Sequence, residues 1–293
     1  MQYQIISDSS CDLPKDYVEE NQIEIVPFYV SFDGENYYKE GIEVDHEDFY
    51  YKMINDHAYP KSSLPAVQDY VDAFIKYAKQ NIPIICICIT SKFSGSYQSA
   101  LNAKNIVHET YPEAKITVID STINTVLQGL YVREAVRILN DGISYEDCIQ
   151  NLERIKSSGR IIFTIENMDY LKQGGRIGKL LSFANGTLGI KPLIILKEGE
   201  IFPAGICRGR NKSKKKLLEL AKEHFAKEGE NPNDYIIVVG TGIDYDEANE
   251  FKKDLENALE RKLDLPIAQI GVTIGTHTGP HPIGLGLLKK YDA

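Results

Sequence analysis

Two regular patterns of apolar and polar residues alternate along the first ~150 residues of the chain. Short β-rich runs predict strands, and the most apolar of these runs is IPIICICI at 82–89. Between the strands, apolar residues recur at helical spacing, which predicts helices at about 66–80, 96–110, 123–140 and 145–157. Because alternating strands and helices are typical of a parallel sheet covered on both faces, we expect a doubly wound, mainly parallel α/β domain.

The second half of the chain follows a different pattern. RIIFTIE at 160–166 and KPLIILKEGEIFPAG at 191–205 predict strands, with a hairpin-like turn at Glu198-Gly199. Charged amphipathic helices at about 211–227 and 246–262 flank the apolar run YIIVVG, and IAQIGVTIG is predicted to close the core as the last strand. This order of elements predicts a second α/β domain with a mixed sheet.

The length of 293 residues suits one large domain or two ordinary ones. We place the boundary where the pattern changes, which gives an N-terminal domain at 1–155 and a C-terminal domain at 156–293. The chain is 43% hydrophobic and 26% charged, as is usual for globular proteins. No internal repeat or disordered linker is evident.

Charge, hydropathy and cysteine usage narrow the class of protein. A net charge of −9 argues against a nucleic-acid-binding protein, and no apolar run reaches the ~20 residues that span a bilayer. The first residues, MQYQIISDSS, lack the pattern of a signal peptide. The five cysteines contain no C-x-x-C, so we expect no cysteine metal site and a reducing, cytoplasmic location.

The sequence contains no complete motif for binding nucleotides, for binding metals or for covalent catalysis. GGRIGKL lacks the first glycine and the final Ser or Thr of a P-loop, and GLGLLK lacks the third glycine of a dinucleotide fingerprint. FSGSY is not a nucleophile elbow, and no H-E-x-x-H or aspartate-rich loop indicates a metal. We therefore expect no cofactor and no metal.

Four polar clusters remain, and each lies near the predicted end of a strand, where ligands of doubly wound sheets bind. They are SDSSCDLP at 7–14, KSSLP at 61–65, SKFSGS at 91–96 and GTHTGP at 275–280. The first two also contain good helix caps, so capping alone is the alternative interpretation for both.

The third and fourth clusters carry the strongest chemical indications. Ser94, Gly95 and Ser96 lie where a helix begins, and a helix N-terminus offers free N–H groups to an anion. A single cap needs a single serine, so the surplus hydroxyls favour an anion site. His277, between glycine and threonines, favours a ligand role over a core position. Arg176, in GGRIG, is either an exposed cation or an anion clamp.

Hydroxyls, amides and one histidine suit a carboxylate better than a phosphate, which normally brings lysine or arginine close. A hydroxyl triad for acyl transfer competes with this interpretation. It would use Ser94 or Ser62 with His277 and with Asp8 or Asp120. Helix capping, a phosphate site and a carboxylate site all stay open on these patterns alone.

Taken in order, the motifs resemble those of the DegV family of bacterial fatty-acid-binding proteins along the whole chain. The matching motifs are DSSCDLP, KSSLP, SKFSGSYQSA, VIDS, LKQGGRIG, KPLIILKEGEIFPAGICRGR and GTHTGP. The resemblance implies a two-domain α/β fold with a fatty acid in a tunnel between the domains. It implies a carrier without catalytic residues of its own, which presents the carboxylate to a separate ATP-dependent fatty acid kinase subunit. The acyl-phosphate product would then feed an acyltransferase of phospholipid synthesis.

Carried onto this sequence, the resemblance assigns the carboxylate contacts to Ser62, Ser94, the Gly95 amide and His277. The further candidate contacts are Ser63, Ser96, Arg176 and Thr276. Arg176 would lie near the tunnel mouth, in phosphotransfer or kinase docking. Candidates for the tunnel lining, with ordinary core as the alternative, are Phe163, Ile165, Leu180, Phe183, Leu188 and Ile190.

The chain departs from the family pattern after GTHTGP, where the family usually has glycine and this chain has His281. Relatives also often have Ser-Gln-Pro in place of Ser63-Leu64-Pro65. Arg208 lies in a matching motif without an assigned role. The run KSKKK at 212–216 is expected to be a solvated helix face, with docking to an acidic partner as the alternative.

Overall fold

A computed structural model describes residues 2–183 and 189–293 as an assembly of three sheets and ten α-helices. The strands are β1 Gln4–Asp8, β2 Glu24–Val26, β3 Tyr29–Ser31, β4 Tyr38–Lys39, β5 Lys61–Ser63, β6 Ile84–Cys88, β7 Ile116–Asp120, β8 Arg160–Thr164, β9 Ile190–Lys197, β10 Glu200–Arg208, β11 Tyr235–Thr241, β12 Ala268–Gln269 and β13 Ile283–Lys289. The helices are α1 Lys15–Glu20, α2 His46–Asn55, α3 Val67–Ala78, α4 Ser96–Thr110, α5 Thr125–Asn140, α6 Tyr145–Lys156, α7 Asp169–Gln173, α8 Arg210–Glu228, α9 Tyr245–Leu259 and α10 Val272–Thr278.

The first sheet confirms the predicted parallel α/β arrangement, with strand order β2-β1-β6-β7 and parallel pairing throughout. Side chains alternate along β6, so that Ile85 and Ile87 join a core with α5 while Cys86 and Cys88 join a core with α3 and α4. Helices therefore cover both faces of the sheet, and the ends of β1, β6 and β7 deliver their loops to one edge.

The second sheet confirms the predicted mixed arrangement, with strand order β10-β9-β8-β13-β11-β12. All neighbours pair antiparallel except β11 and β12, which are parallel. Apolar residues of α8 and α9 cover one face. Helix α5 packs against β11 and β13 as well as β1, so it lies between the two large sheets. The division at residue 155 stays a prediction.

The predicted closing strand at IAQIGVTIG is wrong. Only Ala268 and Gln269 of this run form a strand, and Val272–Thr278 form α10. The central partner of β8 and β11 is instead β13, built from IGLGLLK. A short apolar run fits a buried strand and a buried helix equally well, so its periodicity does not distinguish the two.

A third, small sheet was not predicted. Its order is β4-β3-β5, both pairs are antiparallel, and α2 packs beside it through Phe49, Tyr50 and Met53. These strands have only two or three residues each, too few to show a periodic pattern. The sheet matters because β5 carries Ser62 and Ser63 toward α10.

Among the described residues, no helix combines the length and the apolar character that crossing a membrane requires.

Candidate functional site

A cavity of about 190 Å³ lies between the loops of the parallel sheet, the small sheet and the mixed sheet. A cavity needs roughly 10–15 Å³ to hold one water, so this one has room for a ligand as large as roughly a dozen or more waters. Much of the wall is apolar and comes from both halves of the chain, as in Ile89, Phe93, Val126, Ile161, Leu196 and Ile201. Most of the predicted polar residues also line it: Ser62, Ser63, Ser94, Gly95, Arg176 and His277.

Helix α10 supplies one wall of the cavity along its length. Its lining residues recur at helical spacing, as Thr273, Ile274, His277 and Thr278. His277 is therefore a helical residue, and the predicted position after a last strand is wrong. The same error explains why Thr273 and Ile274 were missed, because the strand interpretation assigned both to the core.

His277 is hydrogen-bonded to Ser62, with 3.0 Å between Nε2 and Oγ. Its other ring nitrogen, Nδ1, is buried and has no hydrogen-bond partner among the described residues. Burial, and next the charge of Arg176, lower the pKa of His277 from 6.5 to about 4. The imidazole is therefore neutral near pH 7, and it can donate or accept one hydrogen bond without adding a charge to the site.

Backbone carbonyls hold Arg176 at the cavity. Its Nε donates to Phe93 O at 3.2 Å, and its Nη1 donates to Gly174 O at 2.6 Å. The guanidinium thus joins the turn after α7 to the loop that precedes α4. Because Arg176 also lines the cavity, the site contains one cation beside its neutral donors.

Ser94 and Gly95 lie immediately before α4, as predicted. Ser94 Oγ accepts a hydrogen bond from the Ser96 amide at 3.1 Å, which leaves the Ser94 hydroxyl hydrogen for another acceptor. Gly95 is the N-cap residue and faces Leu64, to which a Cβ would lie 3.5 Å away. Both residues line the cavity, so the start of α4 faces it.

Ser96 and Thr276 do not line the cavity. Ser96 is fully buried, where its hydroxyl donates to Asp8 Oδ2 at 2.7 Å and lies 2.7 Å from the Tyr70 hydroxyl. The Thr276 hydroxyl donates to the backbone carbonyl of Thr273. Their placement makes both residues parts of the scaffold, because each hydroxyl already has a partner inside the protein.

The hydroxyl triad considered for acyl transfer does not assemble. Asp8 accepts hydrogen bonds from Ser10, Ser96 and Gln128, and Asp120 accepts from the amides at 91 and 122. Neither carboxylate bonds to His277. The hydroxyl that pairs with this imidazole belongs to Ser62 and not to Ser94.

Among the predicted tunnel residues, Phe163 lines the cavity. Ile165 and Leu180 are buried in the core without lining it, and Ile190 is partly buried. Leu188 and the side chain of Phe183 lie outside the described residues. Asn124, Thr125 and Val126 at the start of α5 line the cavity and were missed, because nothing in their spacing distinguishes them from an ordinary helix start.

His281 lies outside the cavity lining, in a group of charged residues. Its Nδ1 is 3.1 Å from both carboxylate oxygens of Asp244, a contact that raises its pKa. The Arg210 guanidinium donates to the His281 carbonyl at 2.8 Å and also pairs with Glu247. His281, where the family usually has glycine, therefore holds the loop after α10 in place without lining the cavity.

In the lysine-rich run, Lys214 pairs with Glu247 and Lys216 with Glu219. Docking of an acidic partner to this face stays a prediction. Over the described ranges, no three His, Cys, Asp or Glu side chains form a group that could hold a metal ion.

Comparisons with known proteins match the whole chain. The family model described as "Uncharacterised protein, DegV family" matches residues 2–290. A DegV domain-containing protein of Clostridium perfringens is 30% identical over 290 residues, which cover 99% of this chain and 100% of the relative. A stearic acid-binding protein from Eubacterium ventriosum has a crystal structure that is 47% identical, with a TM-score of 0.95 and 99% of each chain covered. The fatty acid-binding protein DegV of Bacillus subtilis is 27% identical, with a TM-score of 0.85 and coverage of 99% of this chain and 100% of that one.

Proposed function

We propose, since this chain belongs to the DegV family, that it binds a long-chain fatty acid in the cavity. The carboxylate would lie at Ser62, Ser94, the Gly95 amide and His277, and the acyl chain would follow the apolar wall. The observation that carries this proposal is the cavity itself, since neutral hydrogen-bond donors from three separate elements and the Arg176 guanidinium meet within a mainly apolar wall. Relatives described as fatty-acid-binding proteins support it.

The energetics of such a ligand suit this wall. Each buried CH₂ contributes ~0.8 kcal/mol, so the tail of a palmitate-length acid contributes roughly 10 kcal/mol before ordering costs. The tail therefore supplies most of the affinity. The hydroxyls, the Gly95 amide and the neutral His277 would fix the polarity and position of the carboxylate.

We propose further that the protein is a carrier and not an enzyme. It would present the carboxylate to a separate ATP-dependent kinase subunit, and an acyltransferase of phospholipid synthesis would use the acyl-phosphate. Arg176 would assist phosphotransfer or docking, since it is a cation that lines the cavity. The motif resemblance and the failed nucleotide motifs support this role. The cytoplasmic location stays a prediction.

The first test is the identity of the lipid that copurifies. The purified full chain is denatured, the extract is analysed by mass spectrometry, and delipidated protein is reloaded with a long-chain acid. We expect about one acid per chain, since the proposed carboxylate contacts all line the same cavity. A preparation that contains no stoichiometric acid and accepts none on reloading would refute the carrier function.

The second test concerns Ser94. Ser94→Ala should slow acyl-phosphate formation by a fatty acid kinase, because the variant loses one hydrogen bond to the carboxylate. Ser157→Ala is a matched control, since Ser157 is exposed beyond α6 and does not line the cavity. An unchanged rate for Ser94→Ala would contradict the role assigned to its hydroxyl.

The Ser62–His277 hydrogen bond is the single observation that favours the alternative, a serine-dependent acyl hydrolase or transferase. Sequence patterns left Ser94 and Ser62 open for this chemistry, and the hydroxyl that pairs with His277 is that of Ser62. A fluorophosphonate probe distinguishes the functions. Covalent labelling of Ser62 or Ser94 would support the enzyme, and an unlabelled protein that still binds fatty acid would exclude it.

A further inference from the structure

Two carboxylates, Asp12 and Glu40, lie together behind the cavity wall. Asp12 follows the 3-10 turn Ser9–Cys11, and Glu40 follows β4. Both approach one point of the backbone, since a Cβ on Gly271 would lie 2.3 Å from Asp12 Oδ1 and 2.9 Å from Glu40 Oε1. Glu40 is 6% exposed, and the Oδ1 atom of Asp12 is inaccessible to solvent.

Each carboxylate is hydrogen-bonded to a different wall of the cavity. Glu40 accepts from the Thr273 amide at 2.9 Å and from the Thr273 hydroxyl at 2.8 Å. Asp12 accepts from the hydroxyl of Thr125. Thr125 begins α5, Thr273 lies in the first turn of α10, and both threonines line the cavity. His277 follows Thr273 by one helical turn on the same face of α10.

Two ionised carboxylates that lie this close to the same glycine repel each other. Neighbouring buried carboxylates therefore retain one proton. Glu40 accepts a third hydrogen bond, from the hydroxyl of Ser9. Burial, and next the charge of Glu40, raise the pKa of Asp12 well above its ordinary value. The proton of the pair therefore belongs on Asp12.

The other titratable groups around Asp12 do not neutralise a second negative charge. Asp8 adds to the repulsion, and burial raises the pKa of Cys11 and of Tyr50, which keeps both neutral. Arg133 lines a small pocket of about 30 Å³ together with Asp12, but its guanidinium stacks on the Tyr17 ring. No described lysine or arginine forms an ion pair with Asp12 or Glu40.

We propose that Asp12 and Glu40 carry one proton between them and act as positioning residues for the acyl cavity, holding α5 and α10 together through Thr125 and Thr273. This inference rests on the proposed function, since the cavity is taken to hold an acyl chain. When the pair loses its proton, the two negative charges repel, and the threonines on the two walls move apart. The acyl chain then loses contacts that the closed cavity provides.

The expected pH dependence has a definite sign. The single-proton pair is present at low pH and is lost as the pH rises through its ionisation, so affinity for the fatty acid falls with rising pH. The fall is about tenfold for each unit by which ligand binding raises the pKa of the pair. His277 does not contribute in this range, because its pKa of about 4 lies below it.

The experiment measures the affinity of the delipidated full chain for palmitate between about pH 5.5 and about pH 9, the range where buried carboxyls titrate. Asp12→Asn keeps the shape of the side chain and removes one charge. Asp16→Asn, at an exposed carboxylate four positions away, is the matched control. We expect about a tenfold fall in affinity for the wild type and for Asp16→Asn, and a flat profile for Asp12→Asn. Equal slopes in the wild type and Asp12→Asn, or a flat wild-type profile, would overturn the proposal.

A second measurement tests the proposal without Asp12→Asn, in case that variant folds poorly. Infrared spectroscopy of the wild type should show the carbonyl stretch of a protonated carboxylic acid, which disappears as the affinity falls. Thr273→Val, which removes one hydrogen bond to the pair, should shift that midpoint to higher pH, because the pair then holds a second negative charge less well. The absence of a protonated carboxyl overturns the proposal, whereas a wild type that binds no palmitate at any pH refutes the proposed function instead.

Discussion

The imidazole Nε2 of His277 lies 3.0 Å from the hydroxyl oxygen of Ser62, although 215 positions separate these residues in the chain. Ser62 comes from the middle of β5 in the small sheet, and His277 comes from the last turn of α10. When Nε2 carries the proton of the neutral imidazole, Ser62 accepts from it and keeps its own hydrogen for a ligand carboxylate. The pair would then orient one donor of the site.

Ser62→Ala should therefore weaken fatty acid binding. The variant loses one hydrogen bond to the carboxylate and leaves His277 without its partner, which together cost about 1–3 kcal/mol, or about a fivefold to 150-fold loss of affinity. Calorimetric titration with palmitate measures this change. Ser157→Ala serves again as the control, and an affinity for Ser62→Ala equal to that of the control would contradict the assignment.

The lowered pKa of His277 predicts a contribution to stability that depends on pH. A histidine whose folded pKa is depressed disfavours protonation, so stability is lost as the pH falls from its ordinary pKa of 6.5 toward about 4. The shift corresponds to about 3 kcal/mol. Urea unfolding between these pH values should show a smaller pH dependence for His277→Gln than for the wild type. His57→Gln, at an exposed histidine, should retain the wild-type pH dependence. The assignment to His277 would fail if His57→Gln lost this dependence and His277→Gln retained it.

The sequence patterns located most of this site for a sound physical reason. Loops that follow parallel strands meet at one edge of a sheet, so the strand predicted at 82–89, which is β6 in the structure, placed Ser94 and Gly95 at that edge. Arg176 was found through its glycine-rich turn. The pairing of Ser62 with His277 was only one of the open alternatives, because it depends on how a small sheet and a distant helix pack together.

The errors have a common physical cause. Apolar residues in VTIGTHT pack against the core as a helix, and Gly271 begins that helix in an extended conformation. Periodicity in so short a run carries little information, and tertiary packing decides its structure. The serine-rich stretch at 91–99 illustrates the same limit. Its composition indicated several ligand hydroxyls, whereas burial against Asp8 and Tyr70 makes Ser96 part of the core.

Gly174 predicts how His277 is held in place. A Cβ at this position would lie 2.0 Å from His277 Nδ1 and 3.1 Å from the Tyr170 carbonyl, so the imidazole packs directly on the glycine. Gly174→Ala should displace the ring from Ser62 and reduce palmitate affinity about as much as His277→Ala does, roughly tenfold. Ser157→Ala is again the control, since Ser157 is exposed and does not line the cavity. A Gly174→Ala variant with wild-type affinity would show that the ring is free to move.

Ser94 and Ser96 predict opposite effects of the same substitution two positions apart. Ser96→Ala removes a donor to the buried Asp8 and a partner of the Tyr70 hydroxyl, so it should lower the free energy of unfolding by about 1–3 kcal/mol.

Ser94→Ala should leave stability within about 1 kcal/mol of the wild type, because Ser94 is only half-buried and caps a single amide. Its affinity for palmitate should fall by about fivefold to tenfold. Urea unfolding and calorimetric titration of both variants separate the two roles, since the folded fraction of Ser96→Ala should bind with wild-type affinity. A Ser96→Ala variant with unchanged stability and weakened binding would return Ser96 to the ligand site.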